Sequence, residues 1–137
     1  MTRILVCVAD PRRRLHVLDS LREIGEIETL AAGETPVRAA RRGAFGLVVL
    51  DLGADVEGGI AACRALRSDF GHPAPVLLLD PHGRLDPPER GLGPGLAAGV
   101  VRGRLEAAAL RAVCREVLGG TNPVRTGPLE RRWRLFG

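Results

Sequence analysis

Runs of consecutive apolar residues alternate along this chain with segments whose apolar residues recur every three or four positions. Arg3-Ile4-Leu5-Val6-Cys7-Val8, Leu47-Val48-Val49-Leu50-Asp51 and Pro75-Val76-Leu77-Leu78-Leu79 are too short for buried helices. As strands they are apolar on both faces, which suits a parallel sheet sandwiched between helices. Asp10-Pro11 and Thr35-Pro36 each place a capping side chain ahead of a proline at the first helical position. Leu15, Leu18, Leu21 and Ile24 give the first helix an apolar stripe that Gly25 ends, and Gly43 ends the second. Ile27 to Leu30 forms a short second strand, with Glu26 and Glu28 marking a wetter face. A third helix is predicted over residues 59–68, using Ile60, Cys63 and Leu66. The segment from Glu89 to Gly99 carries four glycines and Pro94, so any helix there is short or frayed. Val100-Val101 is a brief fifth strand, after which Leu105–Leu118 reads as a helix with Leu110, Val113, Cys114 and Val117 on one side. Five βα units with short connections imply right-handed crossovers and a doubly wound parallel sheet.

Composition changes this picture little. A chain of 137 residues with 45% hydrophobic and 26% charged residues is one domain with a real core. It holds no apolar run of membrane-spanning length, and the first strand starts right after Met1-Thr2-Arg3, so a cytoplasmic protein without a transmembrane segment is expected. Cys7, Cys63 and Cys114 fall at apolar positions with no CxxC spacing, which points to buried free thiols. Charge is more informative. All 20 basic residues are arginine, and residues 1–120 hold 16 of them against 15 acids. Residues 121–137 hold the other four against Glu130 alone, so the basic character lies in the tail.

In open α/β sheets, ligands and chemistry sit at the carboxyl ends of the strands. Asp51 ends the third predicted strand and is followed by Gly53, Gly58 and Gly59, so it is either a candidate site or a carboxylate capping a turn. Asp80 ends the fourth strand, Arg102 the fifth, and Asp10 follows the first.

In this order and spacing, residues 1–120 resemble the receiver domain of bacterial two-component response regulators. The resemblance implies an α/β, flavodoxin-like (CheY-like) doubly wound sheet of five parallel strands in the order 2-1-3-4-5. Asp51 takes the place of the phosphoacceptor, with Gly59 eight residues on. Asp80 replaces the usual Thr or Ser, and Arg102 the usual lysine. Gly91-Leu92-Gly93-Pro94-Gly95 matches a Gly-Leu-x-x-Gly run that precedes the last strand.

The departures from that family are chemical. Its two metal-binding acids correspond to Val8 and Ala9, and Asp10 falls one place later. Mg²⁺ needs carboxylate oxygens in a near-octahedral shell, so no cofactor is expected and Mg²⁺ binding should be weak or absent. A carboxylate at Asp80 repels a phosphoryl group instead of donating to it. Arg102 is expected to neutralise Asp80 and Asp51, completing a degenerate acidic pocket of Asp10, Asp51, Asp80 and Arg102. Gly99 replaces the aromatic switch residue and Gly103 the proline after the lysine. The fourth helix, part of the family's output face, is glycine-rich.

These features predict a non-enzymatic pseudo-receiver, an atypical signalling module that binds a protein partner, itself or another, without phosphorylation. The rival is a working phosphoacceptor at Asp51 with Asp10 as metal ligand. A small ligand in the degenerate pocket is a further alternative. The segment after Gly120 is read as a basic tail or a linker stub. In it Arg131, Arg132, Trp133 and Arg134 could pack on the domain or a twin subunit, or bind nucleic acid or an anionic membrane.

Overall fold

The computed structural model describes residues 1–68 and 74–130. Six parallel strands form one sheet, β1 (Thr2–Cys7), β2 (Gly25–Thr29), β3 (Leu47–Asp51), β4 (Val76–Asp80), β5 (Gly99–Arg102) and β6 (Val124–Thr126). Their order is β2-β1-β3-β4-β5-β6. The flavodoxin-like order is therefore as expected, but the sheet has one strand more than the five predicted. The sixth is built from residues read in the sequence as tail. Its three residues are too short and too polar to give a strand pattern, and they are held by pairing Val100 with Val124 and Arg102 with Thr126.

Four α-helices connect the strands, α1 (Pro11–Leu21), α2 (Pro36–Ala40), α3 (Val56–Ser68) and α4 (Ala107–Leu118). Both proline starts are as predicted. The Asp10 side chain accepts from the Arg13 N–H, and the Thr35 hydroxyl accepts from the Arg38 N–H. The first apolar stripe holds at Leu18, Leu21 and Ile24, which pack on the core, but Leu15 is exposed and Val17 and Ser20 are buried in its stead. Gly25 begins β2 instead of ending the helix. The glycine-rich connection after β4 forms a single 3₁₀ turn, Pro88–Gly91.

Strand alternation divides the core into two layers. Ile4, Val6, Val8, Val49, Leu77 and Val101 face α1 and α4, where they meet Val17, Leu21, Leu110 and Val113. Leu5, Cys7, Val48, Leu50, Leu78 and Val100 face Ala39 of α2, Cys63 and Leu66 of α3, and Leu85 of the β4–β5 connection. The three cysteines are buried and unpaired, and burial pushes the Cys7 and Cys114 thiols up to about 12 and that of Cys63 to about 11. Among the described residues no helix is long and apolar enough to cross a membrane.

Candidate functional site

The carboxyl ends of β1, β3, β4 and β5 bring Asp10, Asp51, Asp80 and Arg102 to one rim of the sheet, as the sequence predicts. How these groups are paired differs from expectation. The partner of Asp51 is Arg13, in the first turn of α1. Arg13 Nε donates to Asp51 Oδ2 at 2.7 Å and Nη2 to Oδ1 at 3.3 Å, so the guanidinium fork spans the carboxylate. The Gly53 N–H adds a bond to Oδ1 at 2.6 Å. The Asp51 side chain is left only 3% exposed. Arg13 then reaches a second carboxylate, with Nη1 donating to Glu130 Oε2 at 3.0 Å.

One guanidinium thus hydrogen-bonds two carboxylates, and its Nη1 lies 3.9 Å from a third, Asp10 Oδ2. Burial raises the Asp51 carboxyl above its ordinary 3.8, Arg13 and the Gly53 N–H pull it back, and the Glu130 charge pushes it up again, with a net upward shift. Asp10 behaves in the opposite way. Its carboxylate caps α1 through the Arg13 N–H, which holds it below 3.8.

Asp80 and Arg102 stand opposite each other in adjacent strands, yet they form no ion pair. The Asp80 carboxylate is fully buried and turns toward the backbone of the following loop, accepting from Arg84 N–H at 3.1 Å and Leu85 N–H at 2.8 Å. Arg102 lies over Gly83, donates from Nη2 to the Gly83 carbonyl at 3.4 Å, and keeps a buried Nε with no partner among the described residues. The expected neutralisation of Asp80 and Asp51 by Arg102 is therefore corrected. Two backbone N–H groups satisfy Asp80 where it stands, and Arg13 already holds Asp51.

Glu130 and His82 complete the site, and neither was singled out in the sequence. After β6 the chain doubles back over the rim. Gly127 N–H donates to the Arg102 carbonyl, Arg104 N–H to the Pro128 carbonyl, and Glu130 N–H to the Pro81 carbonyl, each at 2.8 Å. His82 Nδ1–H donates to the Glu130 carbonyl at 2.6 Å. These bonds place the Glu130 carboxylate against Arg13. In the sequence, Arg13 sits between Arg12 and Arg14, and only the phase of α1 shows which of the three faces the strand ends. Arg131, Arg132, Trp133 and Arg134, predicted as a binding tail, lie outside the described residues.

A divalent cation in this rim would need free carboxylate oxygens. Val8 is 3% exposed and packs in the core, Ala9 offers no ligand, Asp10 is turned to the helix start, and both Asp51 oxygens are engaged. Among the described residues no three His, Cys, Asp or Glu side chains converge as a metal site. The residues present do not fit the metal that the resemblance implies.

Known structures share this architecture. The chemotaxis response regulator CheY4 of Vibrio cholerae is 22% identical with a TM-score of 0.67, over 85% of this chain and 98% of that one. The receiver domain of a sensor histidine kinase from Pseudomonas aeruginosa, which has magnesium coordinated in its active-site cleft, is 20% identical with a TM-score of 0.69, over 86% and 98%. The N-terminal domain of the nisin resistance regulator NsrR is 14% identical with a TM-score of 0.73, over 86% and 98%. No protein-family model and no curated protein matches the chain. The chain has the receiver fold.

Proposed function

We propose that this chain is a pseudo-receiver, a non-enzymatic cytoplasmic signalling module that binds a protein partner without being phosphorylated. The observation that carries this reading is the capture of Asp51 by Arg13. A phosphoacceptor carboxylate must offer an oxygen to the incoming phosphorus in line with the leaving group, with cationic help for the charge that develops. Here the Arg13 fork covers both oxygens, and Glu130 holds that fork from the other side. Val8 and Ala9 remove two metal ligands, and a buried carboxylate at Asp80 stands where the resemblance expects a donor hydroxyl. The β5 edge, which would be free in the five-stranded sheet that the resemblance implies, is covered by β6, so a partner would meet a different face.

Acetyl phosphate or beryllofluoride with Mg²⁺ tests the reading. Intact mass should stay unchanged and backbone amide spectra should not shift around Asp51. A gain of one phosphoryl group that disappears in Asp51→Asn would establish a working phosphoacceptor instead.

A further inference from the structure

A second concavity shares no residue with the Arg13–Asp51–Glu130 cluster. It measures about 630 Å³ and runs between the first turns of α3 and the β4–β5 connection. Val56, Ile60 and Arg64 line one wall, and Arg84, Leu85 and Arg90 the other. It opens where that connection makes only the 3₁₀ turn Pro88–Gly91, and its volume is in the range of small-molecule sites.

Its lining carries three arginines against two acids, Asp55 and Glu57. Arg64, Arg84 and Arg90 form no ion pair with a carboxylate among the described residues. Arg84 spends one N–H on the Ala54 carbonyl at 3.1 Å and Arg90 one on the Asp86 carbonyl at 3.2 Å, which steadies each fork and leaves its other donors available. Asp55, a lining carboxylate, caps α3 by accepting from the Gly58 N–H at 2.9 Å. Glu57 is the other acid of the lining, exposed in the first turn of α3.

We propose that this groove binds a phosphate-bearing small molecule, with phosphoryl oxygens on Arg64, Arg84 and Arg90 and an apolar portion over Val56, Ile60 and Leu85. One carboxylate fills one guanidinium fork, whereas a phosphate group or a chain of them offers enough oxygens and charge for three. The proposal does not depend on the reading of Asp51, so either can fail alone.

Pyrophosphate and tripolyphosphate, titrated into the full chain without Mg²⁺, provide the test. Saturable binding is expected, with amide shifts confined to residues 54–64 and 84–90. Arg64→Ala and Arg90→Ala should each weaken it by about tenfold or more, the scale of one charge-assisted contact. Arg22→Ala, which removes an exposed arginine just after α1, should leave it unchanged. Three outcomes would overturn the proposal: no saturation, equal weakening by Arg22→Ala, or hexaglutamate binding as tightly as tripolyphosphate. The last would identify a docking surface for an acidic peptide.

Discussion

Arg13 holds the rim together, because Asp51 is almost fully buried and has no other cation on it among the described residues. Arg13→Ala leaves that carboxylate unpaired and should cost about 3–5 kcal/mol, toward the lower end because the Arg13 side chain keeps 17% exposure. Adding Asp51→Asn should recover part of the loss; urea unfolding at neutral pH measures both. Asp80 and Arg102 give the complementary case. Asp80→Ala strands the Arg84 and Leu85 N–H groups and should cost about 2–3 kcal/mol. Arg102→Leu removes a buried Nε that has no partner among the described residues and should lie within about 1 kcal/mol of wild type. If Arg102→Leu proves the costlier of the two, the expected pairing of Asp80 with Arg102 is restored. At this scale the sequence shows which residues end the strands, since Asp51, Asp80 and Arg102 follow clear apolar runs. It does not show their partners. Pairing depends on side-chain direction, and Asp80 finds its donors in its own loop.

Elements were legible where their apolar pattern was long. β3 is as predicted to the residue, and α4 buries Leu110, Val113, Cys114 and Val117, the predicted set. β6 was not legible, because three residues with exposed Arg125 and Thr126 carry no periodicity and are ordered by the edge of β5. Its return path depends on Gly103. This residue has φ +82°, where side chains are strained, and a Cβ there would collide with the Gly127 carbonyl. Its N–H also donates to the Asp80 carbonyl at 2.8 Å. The proline that the resemblance places at this position could supply neither that φ nor that N–H. Gly103→Ala should therefore destabilise the fold by about 1–3 kcal/mol. It should also loosen the crossing strand, read as faster hydrogen exchange at Gly127 and Glu130. Unchanged exchange at those two amides would show that the crossing is held independently of Gly103.

Across the whole molecule, the C-terminal crossing changes what the rim does with pH. In the folded chain Asp51 titrates above its free value of 3.8, so between those two values the folded state binds more protons than the unfolded one. The Asp51 contribution then favours the fold below pH 3.8 and is lost as pH rises through the raised folded value. Asp10 has the opposite sign, because its folded carboxyl lies below 3.8. Its contribution is present above 3.8 and disappears as pH falls through the folded value. Asp51→Asn isolates the first effect and leaves the second in place. Measured by urea unfolding across the acidic range, the advantage of wild type over Asp51→Asn should be largest below pH 3.8. It should shrink as pH rises through the folded value and then level off. Glu130→Gln removes the second carboxylate from Arg13 and should move that decline to lower pH, since the Glu130 charge is one cause of the upward shift. The sign discriminates between two forces. Burial together with Glu130 predicts a wild-type advantage that falls with pH, whereas a dominant Arg13 bond predicts one that grows. Growth would mean that the crossing segment does not divide Arg13 between two carboxylates, and that Asp51 holds the guanidinium as its own.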